Sequence, residues 1–209
     1  MRYENLLLLF LTLFFLRAEA QRDLVSWSAF KIETTANDGT KFALKPILRH
    51  NNDLSTYQNT SIEFIVNRNL GKKWFAQYLY RHWIWPDEPR VNFHWFDTGY
   101  NTSLGNSLKS SSAIRFHIST TSNRQSADFI RIREKISFAK GKIKPNIQLE
   151  AWWRFDNESE FSLIRLEPGF SWSIVPGVSF TFNYRIQTKY GNFGPPTEDH
   201  LVSSINYSF

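Results

Sequence analysis

Residues 143–155 read IKPNIQLEAWWRF, and two chemical characters alternate along all thirteen positions. Ile143, Pro145, Ile147, Leu149, Ala151, Trp153 and Phe155 fall on one side of an extended backbone. Lys144, Asn146, Gln148, Glu150, Trp152 and Arg154 fall on the other. A side-chain period of two belongs to the β-strand, so this stretch predicts a strand with one apolar face. The same rhythm runs through Ile114, Phe116 and Ile118, through Ile164 to Ile174, and through Val178 to Ile186. No stretch carries a convincing helical period, and no helix-forming apolar run reaches 18 residues.

Alternation leaves open which face is inside. A soluble ligand-binding barrel encloses its apolar face, whereas an outer-membrane barrel turns it toward lipid. Three features favour lipid. Thirteen extended residues rise roughly 43 Å, enough to cross an apolar band of about 25 Å at a steep tilt. The polar faces carry long charged side chains. The chain also stops in mid-strand on LVSSINYSF, with Ile205, Tyr207 and the terminal Phe209 on one face. An exposed edge of this kind suits strand addition to an assembly machine, followed by closure onto the first strand.

Counting back from Phe209 gives ten strands: 200–209, 177–189, 160–174, 143–156, 127–140, 108–121, 90–103, 73–85, 55–68 and 40–50. One end then receives the short glycine turns NLGK (69–72), LGNS (104–107), GK (141–142) and VPG (175–177). The other receives NNDL (51–54), PDEP (86–89), SNRQS (122–126), NES (157–159) and YGNFGPPTEDH (190–200). Short turns at the periplasmic end and longer external loops are the outer-membrane arrangement. Residues 24–35 form a further strand that this count does not place. A barrel closing antiparallel with both termini at one rim needs an even number, so the expectation is an all-β, up-and-down barrel of about ten, or twelve, strands over 40–209.

Residues 1–20 have the layout of a secretory signal peptide. Arg2 opens it, Leu6–Leu16 is apolar except for Thr12, and Arg17-Ala18-Glu19-Ala20 offers a cleavage site before Gln21. The barrel domain is then 21–209. The chain has no cysteine and a net charge of +6. Thiolate metal sites and disulfide frameworks are therefore excluded. The expected location is the Gram-negative outer membrane. Outer-membrane lipid and lipopolysaccharide are the expected surroundings, the barrel-assembly machinery is the partner of the last strand, and nucleic acid is no partner.

Hairpin counting gathers charges on the lumenal face. From the Gly141-Lys142 turn, Arg133 falls opposite Glu150 and Arg131 opposite Trp152. From the 175–177 turn, Glu167 falls opposite Arg185, and a tight connection at 122–126 brings Arg115 beside Arg133. The expected belt is Arg115, Arg131, Arg133, Glu150, Arg165, Glu167 and Arg185. Charges in a closed lumen must pair, which is a structural role. Five arginines against two glutamates also suit an anion bearing phosphate or carboxylate. About ten strands leave little bore for a porin. His117 with Ser119, beside His94 and Ser111, raises a lipid hydrolase, but no carboxylate is placed to orient the histidine. The five histidines lack ligand spacing, and no metal or cofactor is expected. Trp74, Trp83, Trp85, Trp95, Trp152, Trp153 and Trp172 cluster toward strand ends, as interface girdles do, and equally suit the core aromatics of a soluble sandwich. Glu134 falls on the lipid side between Ile132 and Ile136, unless a bulge turns it inward.

The early Trp27, Arg131 with Arg133, Glu150 one strand later, the Tyr184-Arg185 step and the His200-to-Phe209 closing strand resemble, in order and spacing, an outer-membrane family known as domain of unknown function 2490. The resemblance spans the mature chain and implies an outer-membrane β-barrel. It brings no activity, and enzymatic function is not the reading it favours.

Overall fold

The computed structural model describes residues 24–51, 53–86, 91–120, 128–155, 160–190 and 197–209. The expected signal peptide at 1–20 and the connections at 122–126 and 157–159 lie outside the described residues, as do parts of the other three connections at that rim. Among the described residues eleven strands follow one another. They are β1 (Leu24–Thr35), β2 (Lys41–Asn51), β3 (Thr56–Leu70), β4 (Trp74–Ile84), β5 (Val91–Leu104), β6 (Leu108–Thr120), β7 (Phe129–Phe138), β8 (Ile143–Arg154), β9 (Glu160–Val175), β10 (Val178–Lys189) and β11 (Thr197–Ser208). Each pairs with its chain neighbours, and β1 pairs with β11 to close a barrel.

The closing seam departs from the sequence reading. β1 runs parallel to β11, with Leu24 opposite Asp199, Ser28 opposite Ser203 and Glu33 opposite Ser208. All other pairings are antiparallel. A parallel seam removes the even-number requirement, so residues 24–35 enter the wall as an eleventh strand. The first residue of β1 and the last residue of β11 therefore lie at opposite rims. Parallel ladders are slightly less stable per residue. Here both faces of β1 nevertheless match the wall: Trp27 and Ala29 line the lumen, while Phe30 and Ile32 are exposed outside.

One rim is built from tight turns. Gly39, Gly71, Gly105, Gly141 and Gly177 all have positive φ, from 71° to 94°. A hairpin joining right-twisted strands needs this left-handed backbone, which glycine adopts without cost. Gly177 shows a second constraint. A Cβ there would lie 2.7 Å from the Ser208 carbonyl oxygen, and the Ser208 amide donates to the Gly177 carbonyl at 2.8 Å.

The polarity of the two faces is inverted relative to a soluble core. Glu63, Asp97, Arg115, Arg131, Glu150 and Glu167 are buried inside. Ile114, Phe116, Ile132, Ile147, Leu149 and Ile205 are exposed outside, each by 43–51%. Glu134 stays on the outer side, with no inward bulge. The Ser110 hydroxyl donates to its carboxylate at 2.5 Å, and the Ser112 hydroxyl donates to its other oxygen. It lies four residues before the end of β7, toward the short-turn rim.

The parallel seam can be tested by cross-linking, since the native chain has no cysteine. Ser28→Cys with Ser203→Cys, opposite one another in register, should oxidise to a disulfide in the folded protein. Ser28→Cys with Asn206→Cys should not. Equal yields would mean that β1 is not fixed in this register.

Candidate functional site

The lumenal face is a lattice of arginines and carboxylates joining neighbouring strands. Glu63 on β3 stands opposite Arg81 on β4, accepts from its Nε at 2.7 Å and also from its Nη2. Lys45 approaches the other Glu63 oxygen at 3.4 Å. Asp97 on β5 stands opposite Arg115 on β6 and takes a two-pronged contact at 2.5 and 2.6 Å. Glu167 accepts from Arg185 Nε at 2.7 Å across β9 and β10. Glu150 on β8 binds Arg131 on one side at 3.1 Å and Arg165 on the other at 2.9 Å. Six arginines, counting Arg133, and Lys45 face four carboxylates in this lattice, an excess of three positive charges.

All seven residues expected of the belt are brought together inside the barrel, with two corrections. Arg133 does stand opposite Glu150 in register, but Glu150 bonds Arg131, the diagonal neighbour on the same face. Diagonal positions lie within reach of a long side chain. Arg133 instead lies 4.0 Å from Asp97. Arg115 stands opposite Arg131, two residues from the expected partner. The β6–β7 connection is too long to set register as a tight turn does.

Glu63, Arg81 and Asp97 were missed, although the signal was present. Registers counted back from the Gly71 and Gly105 turns put Glu63 opposite Arg81 and Asp97 opposite Arg115. A larger omission is aromatic. Trp83, Trp95 and Trp152 line the lumen, while Trp74, Trp153 and Trp172 are exposed on the outer face. Alternation separates the two groups, and clustering near strand ends does not.

The indoles inside stack with the guanidinium groups. Trp95 has Arg81 at 4.3 Å, Arg115 at 4.4 Å and Arg131 at 5.7 Å from its ring centre. Trp152 has Arg131 at 4.9 Å and Arg165 at 5.1 Å. Trp27 reaches Arg49 of β2, Arg81 of β4 and Arg185 of β10, and so touches guanidinium groups on both sides of its own strand. Such contacts contribute roughly 0.5–2 kcal/mol each and offset part of the cost of crowding like charges. Trp27 Nε1 donates to His200 Nδ1 at 3.0 Å, and His200 Nε2 meets Glu198 at 3.2 Å. This assigns the His200 proton to Nε2 and ties β1 to β11 from within.

His117 is 7% exposed and sits among rings: Phe93 at 4.9 Å, Trp95 at 5.3 Å, Phe129 at 5.6 Å and Trp152 at 6.2 Å. His94 lies on the other side of the wall, where its Nδ1 meets the Tyr78 hydroxyl at 2.9 Å. The two histidines considered for hydrolysis thus lie on opposite faces of the wall. Among the described residues no three His, Asp or Glu side chains gather as metal ligands. The space left between these groups is a cavity of about 450 Å³.

No family model, curated protein or solved structure matches the chain.

The lattice makes a graded prediction for stability in detergent. Glu150→Gln leaves Arg131 and Arg165 uncompensated and should cost about 3–5 kcal/mol, read as a lowered denaturant midpoint. Arg133→Met, which removes surplus charge 4.0 Å from its nearest acid, should cost far less. Equal losses would mean that the ion pairs do not carry the difference.

Proposed function

We propose that the protein is an exported β-barrel of the Gram-negative outer membrane. Its apolar wall is set in lipid and its charged lumen forms a largely filled interior with room for a small anion. The observation that carries this reading is the inversion of the faces. Monomeric soluble proteins rarely expose apolar patches beyond a few hundred Å², yet here the outward side of the wall is apolar strand after strand. Charged side chains almost never lie buried unless paired, and here they fill the centre as pairs. Hydrocarbon outside and a closed polar lumen inside satisfy both conditions.

Further features agree. The exposed indoles of Trp74, Trp153 and Trp172 suit a membrane interface. Ile205, Tyr207 and Phe209 are exposed along the outer face of β11, with Phe209 at 71%. In this reading they are the signal by which the assembly machinery receives the last strand, and a signal peptide at 1–20 delivers the chain. The resemblance to domain of unknown function 2490 points the same way. The excess of arginine over carboxylate makes an anion the preferred lumenal guest, since guanidinium pairs bidentately with carboxylate and phosphate. Lipid and lipopolysaccharide surround the wall.

The tagged protein should fractionate with outer membranes, need detergent for extraction and show heat-modifiable gel mobility. A molecule that remains monodisperse in plain buffer would sink the proposal. A substitution separates the two environments further. Ile114, at the middle of β6, faces outward with 43% exposure. Ile114→Lys should cost about 2–4 kcal/mol in lipid vesicles. In a soluble barrel the same change would be nearly neutral.

A further inference from the structure

Most polar groups in the lumen are partnered, and four of the buried atoms that are not lie close together. The indole Nε1 of Trp95, the guanidinium Nε of Arg131 and both ring nitrogens of His117 are buried without a hydrogen-bond partner. Their side chains are 7%, 6% and 7% exposed, and all three line the central cavity. Buried polar groups in folded proteins are nearly always satisfied, so a local cluster of orphans calls for a specific cause. Trp95 and Arg131 offer only donors here, and a neutral histidine offers one N–H donor beside one acceptor nitrogen, so three of the four atoms seek an acceptor. The missing partner is therefore rich in acceptors.

Two acids of the surrounding lattice are committed. Glu150 already takes Arg131, Arg165, Gln148 and Trp152. Asp97 takes Arg115 through both oxygens and Gln77 besides. With six arginines to four carboxylates around it, the site favours an acceptor that is negatively charged. Its walls say what else the guest carries. His117 is ringed by Phe93, Trp95, Phe129 and Trp152, and aromatic surfaces select flat apolar bodies. Trp95, His117, Arg131 and Trp152 all lie within five residues of the strand ends at the rim opposite the glycine turns. A cavity of about 450 Å³ matches a small organic molecule.

We propose that this half of the lumen binds an organic oxyanion carried on a planar ring, with Trp95, Arg131 and His117 donating to the anionic group and the surrounding aromatic rings packing on its body. The inference rests on the enclosed, anion-favouring lumen of the proposed barrel and adds the ligand class and the residues that select it.

The test uses the full mature protein, folded in detergent micelles. Benzoate and phenyl phosphate are titrated calorimetrically beside acetate, inorganic phosphate and benzyl alcohol. Both ring-bearing anions should bind saturably, at least tenfold tighter than the anions without a ring or the ring without a charge. Their relative order distinguishes a carboxylate from a phosphoryl guest. His117→Phe and Trp95→Phe should each weaken the better probe about tenfold, while Trp153→Phe on the outer wall should change nothing. Acetate or benzyl alcohol binding as tightly as benzoate would overturn the proposal, as would binding by none of the probes. Affinity unchanged in His117→Phe would do the same. The probe series on the unaltered protein decides even if a variant fails to fold. Solubility of the same sample without detergent would defeat the membrane reading alone and leave the probe result standing.

Discussion

Charge enclosed by a closed sheet is the constraint on which the remaining structure depends. Glu63–Arg81, Asp97–Arg115, Glu167–Arg185 and the shared Glu150 each join strands that are neighbours in the wall. Because side chains alternate with period two, a slip of one residue in any of these pairings would move a row of charges to the outer face and a row of Ile, Leu and Phe into the lumen. The ion pairs therefore act less as a source of net stability than as a register lock. Buried pairs repay their desolvation only when fully bonded, and an unpartnered member is expensive. Correct register is the arrangement in which these acids all find their arginines.

β1 completes this system and is also its least conventional part. Its exposed large apolar side chains are Phe30 and Ile32, and its ladder with β11 is parallel. What holds it is largely inside: Trp27 touches guanidinium groups from three other strands and donates to His200, which in turn reaches Glu198. A single indole thus connects the seam to the charge lattice on either side of it. Without it, the excess of arginine would lose one of the surfaces that shield like charges from one another.

Much of the wall could be read from residues 40–209. The ten strands counted from alternation agree with β2 to β11 within three residues at each end, because turn glycines punctuate them and strand period is strictly local. The Arg133–Glu150 register followed from one such turn. Pairing partners were less legible. Whether Glu150 bonds Arg133 or Arg131 depends on the diagonal geometry of a tilted sheet, and the Arg115 register depends on a long connection. The tryptophans were misread as a group, because nearness to a strand end was allowed to outweigh the face on which each residue lies.

The amino-acid order alone determined that the chain forms antiparallel strands with one greasy and one charged side, where most of them begin and end, and which residues share a side. These are local properties set by backbone period and turn chemistry. Only the closed structure decided that the charged side is inside, that an eleventh strand enters parallel, and that Trp95, Arg131 and His117 converge with donors to spare. Those outcomes depend on curvature and closure, which bring residues from distant strands into one enclosed volume and which no alternation pattern encodes.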